Sequence, residues 1–319
     1  MIEVQRLTVR YGTTVAVDDL SFRVEPGRVT GFLGPNGAGK TTTMRAMLGL
    51  DRPVSGRVLI EGRPYERLPR PLTTVGALLD SRSAHGGRTV RAHLLSLARS
   101  NRIPDARVDE VLETVGLATV AGKRAGGMSL GMSQRLGIAA ALLGDPKVLL
   151  FDEPANGLDP EGIVWFRELA QRLAGEGRTV LVSSHLMSEM ALTADHLVVI
   201  GQGRLLAECS VDDFVARNSR AFIQIRTPEP ERLRAVLKDE GIRTDEGPDG
   251  AIEASGTTQE TVGALVAAHQ VTVYEISPQT ASLEEAFMRL TAGAVEFRAT
   301  DAQAGAEAGD TAAMPGVRR

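Results

Sequence analysis

The first two thirds of the chain alternate short apolar runs with stretches of helical periodicity, a pattern typical of an α/β protein with a parallel sheet. Apolar or alternating runs predict strands at residues 4–9, 21–24, 29–33, 57–60, 74–79, 147–151, 179–182, 197–200 and 204–207. Apolar positions at helical spacing predict helices at residues 42–48, 90–99, 108–115, 129–143 and 161–173.

The last third of the chain has a different order of elements. Its pattern predicts a strand at 222–227, a helix at 230–240, strands at 242–244 and 251–254, a helix at 257–269, a strand at 271–276 and a last helix at 283–290. The first six follow the order β-α-β-β-α-β, which is that of a ferredoxin-like α+β unit. A hydroxyl residue with a glutamate three positions later predicts a capping box at two helix starts, Thr257/Glu260 and Ser282/Glu285.

This change of pattern divides the chain into three parts. We expect a first domain at residues 1–215 and a small α+β domain at residues 216–298. Residues 299–319 are mostly small or acidic and cannot bury a core, so we expect a disordered tail. The length of 319 residues agrees with about two domains.

The composition argues against several classes of protein. The net charge of −4 gives no electrostatic reason to expect a nucleic-acid partner. The longest strongly apolar run, residues 136–144, is far shorter than the ~20 residues of a membrane span, and the N-terminus has no signal-peptide core. Cys209 is the single cysteine, which excludes an internal disulfide and a cysteine metal cluster. We therefore expect a cytoplasmic protein.

The strongest candidate for chemistry follows the predicted strand at 29–33. The chain there reads Gly34-Pro35-Asn36-Gly37-Ala38-Gly39-Lys40-Thr41-Thr42, and a predicted helix comes next. The glycines let the loop turn tightly, so that its N–H groups and the helix N-terminus point at a polyphosphate. Lys40 adds positive charge at the β- and γ-phosphates, and the Thr41 hydroxyl is suited to bind Mg²⁺. A strand, this loop and a helix in that order predict a P-loop nucleotide site rather than a chance glycine-rich turn.

Two acidic residues come directly after the buried strand at 147–151. Asp152 and Glu153 repel each other at one strand end, so the pair needs a cation or a function. With a P-loop upstream, the pair is typical of a site where Asp152 holds Mg²⁺ through water and Glu153 polarises the attacking water. The alternative is a helix cap with two solvated acids.

Four weaker candidates lie elsewhere in the first domain. Tyr11 follows the first strand and can stack on an adenine ring, or simply pack against a turn. Ser129 precedes an apolar helix and offers either an anion site at the helix N-terminus or an ordinary cap. Asp80 and His185 each follow a strand, and ligands gather at the carboxyl ends of parallel strands. Because the P-loop and Glu153 share that placement, we favour functional roles for Asp80 and His185, whereas Tyr11 and Ser129 taken alone are more typical of packing and of an ordinary cap.

Taken in this order, the motifs resemble those of the nucleotide-binding subunit of an ABC transporter, over about the first two thirds of the chain. In that family an adenine-stacking aromatic precedes Walker A, and these match Tyr11 and residues 34–42. The loop that contacts the membrane partner matches Asp80, and the signature matches residues 129–132. Walker B matches residues 148–152, the catalytic carboxylate Glu153, the dimer-contact aspartate Asp159 and the switch histidine His185.

The resemblance implies a P-loop ABC ATPase domain with a helical subdomain, followed by the small α+β domain. Within the family, the chain is similar to exporter ATPases of the daunorubicin- and bacitracin-resistance type. Those carry a Ser-Leu-Gly-Met type of signature and a C-terminal Leu-Glu-Glu-Ala-Phe segment, here residues 283–287. Leu130 and Met132 stand where the commonest signature has Gly and Gln, and Asp80 stands where a longer Gln or Glu is usual.

The resemblance also implies a function: an ATPase that binds ATP and Mg²⁺, works as a homodimer and powers transport through a separate integral membrane permease. Export of a drug-like or lipophilic substrate is expected, with the subunit peripheral on the inner face of the cell membrane. The implied catalytic residues are Glu153, His185 and Lys40, and the implied metal ligands are Thr41, Asp152 and Asp80. The residues implied to contact the nucleotide are Tyr11, Gly34, Pro35, Asn36, Gly37, Ala38, Gly39, Lys40, Thr41, Thr42, Ser129 and Gly131.

The rival hypothesis is a soluble ABC-type ATPase that acts as a regulatory or assembly factor on macromolecules such as ribosomes or DNA. Such relatives usually join two ATPase modules in one chain or carry long coiled coils. This sequence has one P-loop and no sustained heptads. A P-loop kinase or GTPase would leave residues 129–135 unexplained.

Overall fold

The structure is a computed structural model that describes residues 1–218, 222–279 and 283–291. The predicted cap at Ser282 and the predicted tail at 299–319 lie outside these residues. Among the helices so described, none combines the length and the hydropathy that crossing a bilayer requires.

A six-stranded sheet lies at the centre of the first domain. In spatial order its strands are β5 (Val75–Leu78), β6 (Val148–Phe151), β7 (Thr179–Ser184), β3 (Val29–Leu33), β8 (His196–Gly201) and β9 (Arg204–Ser210). Neighbouring strands are parallel except β8 and β9, which form an antiparallel hairpin. The central strands are buried along their whole length because both faces of a parallel sheet are covered. The predicted α/β class is confirmed.

A second sheet covers one face of the first. It consists of three antiparallel strands and packs together with the first helix: β2 (Thr14–Val24), β1 (Ile2–Tyr11), β4 (Ser55–Ile60) and α1 (Lys40–Met47). One hydrophobic cluster joins Met44 of α1 to Leu7 of β1 and Phe32 of β3. Helix α1 is therefore held between strands of both sheets, and its N-terminus lies just beyond the end of β3.

Helices form the connections of the first domain. They are α2 (Pro71–Thr74), α3 (Val90–Ser100), α4 (Ala106–Thr114), α5 (Leu130–Leu142), α6 (Pro160–Gly175), α7 (Met187–Thr193) and α8 (Val211–Asn218). A second cluster joins Leu94 of α3, Ile138 of α5 and Phe166 of α6 to Phe151 of β6. Phe166 and Phe151 meet edge-on, with ring centroids 5.3 Å apart. These helices thus cover the sheet face opposite α1.

The C-terminal region has its own four-stranded antiparallel sheet. Its elements are β10 (Phe222–Arg226), α9 (Pro230–Asp239), β11 (Arg243–Glu246), β12 (Ile252–Ser255), α10 (Gln259–Ala268) and β13 (Glu275–Gln279). The spatial order β11-β12-β10-β13, with every pair antiparallel, is that of a ferredoxin-like unit. Leu233 of α9 and Val262 of α10 pack on Ile225 of β10 in a separate hydrophobic cluster.

Two predictions in this region are wrong in detail. The last strand is not residues 271–276 but Glu275–Gln279, because the N–H of Val271 still bonds the carbonyl of Val266 (3.1 Å) and ends helix α10. Gln270, with φ +50°, makes that helix exit. The predicted Thr257/Glu260 box is also wrong: Thr258 is the N-cap, and its hydroxyl accepts the N–H of Thr261 at 3.3 Å.

The final described helix, α11 (Leu283–Thr291), returns to the first domain. It packs on α7 and α8. Leu283, Ala286 and Phe287 are buried in the same cluster as Phe214 of α8. The C-terminal segment at residues 283–291 is therefore part of the hydrophobic core of the first domain.

Candidate functional site

The loop at residues 34–39 joins the end of β3 to the start of α1. Gly37 and Gly39 have φ of +83° and +99°, a region that favours glycine. A Cβ at Gly39 would lie 2.5 Å from the carbonyl oxygen of Ala16, and one at Gly34 would lie 2.6 Å from that of Ile200. Gly39 is also the N-cap of α1 and offers no side-chain cap. The first N–H groups of the helix are thereby left to an external acceptor, as an anion site requires.

Lys40 lies across this loop. Its Nζ donates to the carbonyl oxygen of Gly34 at 2.6 Å and to that of Pro35 at 3.3 Å. Burial lowers the pKa of Lys40, while the nearby carboxylates of Glu153 and Asp152 act in the opposite direction. A buried cation whose partners are two neutral carbonyls has electrostatic capacity left for an anion in the loop.

Asp152 lies at the end of β6, where two hydroxyl groups hold its carboxylate. Thr41 Oγ1 donates to Oδ2 at 2.6 Å, and Ser183 Oγ donates to Oδ1 at 2.5 Å. A hydroxyl and a carboxylate oxygen are ligands that Mg²⁺ prefers, so Thr41 and Asp152 fit that ion. Within the described ranges, no group of three or more His, Cys, Asp or Glu side chains could hold a metal ion alone. Mg²⁺ at this site would thus need oxygens of the nucleotide or water as well.

Glu153 follows in an unusual backbone conformation. Its φ is +49°, which is uncommon for a residue other than glycine. One carboxylate oxygen, Oε2, lies 2.6 Å from Nδ1 of His185, which comes directly after β7. The neighbouring Ser183 accepts the backbone N–H of Glu153 at 2.9 Å. The structure therefore brings the predicted catalytic pair, Glu153 and His185, into contact.

The start of α5 contacts the loop that follows Glu153. Ser129 is the N-cap, and its hydroxyl accepts the N–H of Met132 at 3.2 Å. A Cβ at Gly131 would lie 2.7 Å from the carbonyl oxygen of Gly157, and a Cβ at Gly157 would lie 2.3 Å from the side chain of Leu130. One turn further along α5, Gln134 Nε2 donates to the carbonyl oxygen of Glu153 at 3.0 Å. The helix start and the acidic loop form one packed unit.

Tyr11 is the last residue of β1, and its side chain is 49% exposed. Its hydroxyl donates to Asp51, which also accepts from Arg45 Nε at 2.8 Å and Nη2 at 3.1 Å. Desolvation, followed by this hydrogen bond to Asp51, raises the pKa of Tyr11, and its hydroxyl also interacts with Thr42. The ring is therefore held beside the P-loop helix with much of its surface free to stack.

Asp80 and Asp159 occupy the loops that border this region. Asp80 is exposed, and its Oδ1 accepts the N–H of Arg82 at 2.8 Å. It therefore stabilises its own loop rather than contacting Thr41 or Asp152 by a hydrogen bond. Asp159 is the N-cap of α6, where Oδ1 accepts the N–H of Gly162 at 2.8 Å.

Sequence reasoning missed four residues that organise the site. Ser183 and Gln134 hold the acidic pair, and Asp51 and Arg45 hold Tyr11. The available signal was weak: Ser183 is a polar residue near the end of a strand that is buried throughout, and Gln134 is a buried polar residue in a helix that also contains Ser133 and Arg135.

Comparison with protein families adds independent information. A family described as "ABC transporter" matches residues 17–156. A family described as a domain of unknown function matches residues 221–284. A further family, described as "AAA domain, putative AbiEii toxin, Type IV TA system", matches residues 122–191 and so overlaps the first match.

Curated relatives are similar over nearly the whole chain. An uncharacterized ABC transporter ATP-binding protein of Bacillus subtilis (strain 168), YhcH, is 36% identical over 91% of this chain and 96% of its own. The bacitracin transport ATP-binding protein BcrA of Bacillus licheniformis is 37% identical over 92% of this chain and 98% of its own.

Solved structures share the fold of the first domain. CbiO1 from Clostridium perfringens, part of the ABC transporter complex CbiONQ, has a TM-score of 0.59 at 27% identity, covering 74% of this chain and 94% of its own. The dimeric ABC transporter cassette MJ0796 has a TM-score of 0.61 at 22% identity, covering 66% and 99%.

Proposed function

The chain belongs to the ATP-binding subunits of ABC transporters, and from that premise we propose that it powers export of a drug-like or lipophilic substrate through a separate membrane permease. As a member of that family it binds ATP and is an ATPase. The proposal of export is supported by the similarity to a bacitracin transport protein over nearly the full length of both chains. The same similarity favours a transporter over a regulatory factor that acts on ribosomes or DNA.

The nucleotide would bind along the loop at residues 34–42. The open N–H groups of α1 and the Lys40 ammonium offer positive charge to the phosphates, and the exposed ring of Tyr11 is suited to stack on adenine. Ser129 and Gly131 would contact nucleotide at the start of a second helix. The observation that supports this assignment most is the buried Lys40, which two carbonyls hold inside the glycine loop.

Thr41 and Asp152 would hold Mg²⁺ at the end of β6. Their oxygens are within hydrogen-bonding distance of each other, and Ser183 fixes the second carboxylate oxygen of Asp152. The ion would neutralise charge on the β- and γ-phosphates. Asp80 is assigned to the same site only through a water molecule, because its carboxylate caps its own loop.

Glu153 would orient the water that attacks the γ-phosphate. The bond to the bridging oxygen breaks as water adds, which yields ADP and phosphate, and Lys40 stabilises the developing charge. His185 contacts the same carboxylate. We assign it to holding Glu153 in place and to sensing the γ-phosphate.

The active form would be a homodimer in which Ser129 of each subunit faces the P-loop of the other. Two similar proteins support this proposal, because MJ0796 is a dimeric ABC transporter cassette and CbiO1 is part of the ABC transporter complex CbiONQ. The exposure of Ser129 and Leu130 in the single chain supports a contact with a second copy there. Closing and opening of the dimer would drive the permease.

The permease would contact the loop from Asp80 to Arg88. This loop and the segment before α5 border a cavity of about 300 Å³, lined by Arg82, Ala84, Met128 and Ser133 among others. Arg82 and Arg88 are exposed and suit acidic or carbonyl groups of a cytosolic helix. Through that contact the subunit would lie on the inner face of the cell membrane. We further propose that residues 216–298 regulate or stabilise assembly, with α11 joining this region to the first domain.

Glu153→Gln is the direct test of the catalytic assignment. The amide keeps the size of the side chain and removes the charge that orients water, so hydrolysis should nearly disappear while ATP binding is retained. Steady-state ATPase activity and titration with a non-hydrolysable ATP analogue measure the two separately. Near-normal turnover in this variant would reject the role of Glu153.

Membrane fractionation tests the proposed partner. The protein should sediment with membranes when the permease gene is co-expressed and should remain in the supernatant without it. Charge reversal at Arg82 and Arg88 should weaken the association and leave ATP binding unchanged. Soluble behaviour in both cases, together with binding to ribosomes or DNA, would favour the regulatory factor instead.

A further inference from the structure

The main chain at Glu153 is held in a conformation that its sequence disfavours. A positive φ is uncommon for glutamate, and the following residue, Pro154, restricts the backbone of Glu153 further. Such a conformation persists only where surrounding groups stabilise it. Its carboxylate is aimed by this backbone, so whatever stabilises the conformation also sets the direction of the carboxylate.

Two buried side chains from separate elements hold the backbone groups of this residue. Ser183, at the end of β7, accepts the N–H of Glu153 at 2.9 Å. Gln134, in the second turn of α5, donates from Nε2 to the carbonyl oxygen of Glu153 at 3.0 Å. The same carbonyl accepts the N–H of Asn156 at 3.2 Å, so both of its lone pairs are used. Side chains from two other elements thus hold both the backbone N–H and the carbonyl of Glu153.

Of these two side chains, Ser183 and Gln134, only Gln134 acts on Glu153 without also holding Asp152. Ser183 also holds the carboxylate of Asp152, so its loss would disturb the metal site as well. Gln134 is only 4% exposed, and its side-chain amide makes no second hydrogen bond to the residues that the structure describes. Because α5 begins at Ser129, the helix that starts at the signature is joined directly to the backbone of the acidic residue in the same chain.

We propose that Gln134 is a positioning residue for ATP hydrolysis, which fixes the Glu153 backbone and hence the direction of its carboxylate. The proposal rests on the proposed catalytic role of Glu153. If the amide donor is removed, the Glu153 peptide is free to rotate toward a more common conformation, and the carboxylate leaves its place beside His185. Turnover then falls without loss of the phosphate-binding loop, which Gln134 does not touch.

The test compares Gln134→Met with a matched control. Methionine has nearly the same length and fills the buried space but cannot donate a hydrogen bond. Gln171 on α6 makes the same kind of bond at an exposed position outside the acidic loop, from Nε2 to the carbonyl oxygen of Leu192 at 3.0 Å. Gln171→Met therefore controls for the loss of one glutamine–carbonyl bond. Gln134→Leu, which also fills the buried space without a hydrogen-bond donor, serves if the methionine variant does not fold.

We expect kcat of the full chain to fall about tenfold in Gln134→Met, which corresponds to about 1.4 kcal/mol in the barrier. The dissociation constant of a non-hydrolysable ATP analogue, measured by calorimetry, should stay within about twofold. Gln171→Met should hydrolyse ATP at the wild-type rate. Unchanged kcat in Gln134→Met, or a loss of nucleotide affinity as large as the loss of kcat, would overturn the proposal.

A double-mutant cycle separates positioning of Glu153 from general support of the fold. In the Glu153→Gln background, Gln134→Met should cause no further loss of the residual single-turnover rate, because it acts through the carboxylate that is already absent. A further tenfold loss there would contradict the proposal. If the Glu153→Gln variant hydrolyses ATP at the normal rate, the catalytic role of Glu153 is wrong. If Glu153→Gln is inactive but Gln134→Met hydrolyses ATP at the normal rate, only the positioning role of Gln134 is wrong.

Discussion

The hydroxyl of Ser183 bonds both acidic residues at the end of β6, Asp152 and Glu153. Replacing Ser183 by alanine should therefore lower the free energy of unfolding. The side chain is fully buried, and its single oxygen donates to Asp152 Oδ1 and accepts the N–H of Glu153. Ser183→Ala removes that oxygen and puts no other polar group in its place. The carboxylate oxygen and the N–H group both lose a partner.

The magnitude follows from the two hydrogen bonds. A bond to a charged group contributes about 1.5–3 kcal/mol and a neutral bond about 0.5–1.5 kcal/mol, so the variant should lose about 2–4.5 kcal/mol. Ser184 is the matched control: it is also buried at the end of β7, but its hydroxyl makes one neutral bond, to the N–H of Leu186 at 2.9 Å. Ser184→Ala should therefore cost only about 0.5–1.5 kcal/mol.

Urea unfolding measured by tryptophan fluorescence tests this difference. Trp165 is the single tryptophan of the sequence and lies on α6, so its signal reports the domain that contains Ser183. Since Asp152 would then be held by Thr41 alone, ATPase activity of Ser183→Ala should also require more Mg²⁺. Equal losses of stability in the two alanine variants, or a Ser183→Ala variant within about 0.5 kcal/mol of wild type, would refute the reasoning.

Three further outcomes are expected. Asp51→Ala removes the group that holds the Tyr11 hydroxyl, so ATP affinity should fall about threefold to tenfold by calorimetry; unchanged affinity would contradict this. Burial, with nearby arginines, lowers the pKa values of His93 and His196, so the unfolded chain binds more protons. The free energy of unfolding should therefore fall as the pH drops below about 6.5. Replacing both histidines by leucine should make this pH dependence weaker; an unchanged pH dependence would show that His93 and His196 do not cause it. Phe287→Ala should destabilise the ATPase domain by about 3–5 kcal/mol, seen as a lower thermal midpoint, because the ring is buried beside α8; an unchanged midpoint would show that α11 does not contribute to that core.

Local signals in the sequence were sufficient for the P-loop. The positive φ values of Gly37 and Gly39 and the tight approach to Ala16 are backbone requirements that glycine alone meets easily. The cap at Ser129 was equally local, because its hydroxyl reaches an N–H only three residues away. Such features depend only on residues close together in the chain, so a short stretch of sequence is enough to predict them.

Element boundaries were harder to predict where the pattern was ambiguous. The apolar residues of 271–276 predicted a strand, but Val271 ends helix α10 and packs inward, so pairing with β10 begins only at Glu275. Helices α7 and α8 were not predicted at all, although each buries one face against the sheet or α11. In these segments tertiary packing, rather than the local apolar pattern, decides whether a residue lies in a helix, in a strand or in the turn that ends a helix.

The sequence by itself determined the α/β class, the strands of the central sheet and the conformation of the glycine loop at residues 34–39, because each depends on a local pattern or a local backbone conformation. Only the tertiary structure decided what surrounds the acidic pair. Parallel pairing of Phe151 with Val182 sets Asp152 beside Ser183, although the two residues are 31 positions apart. Gln134 reaches Glu153 across 19 positions because α5 packs against β5, the strand that pairs with β6. Contacts of this kind depend on strand register and helix packing, which no single stretch of sequence contains.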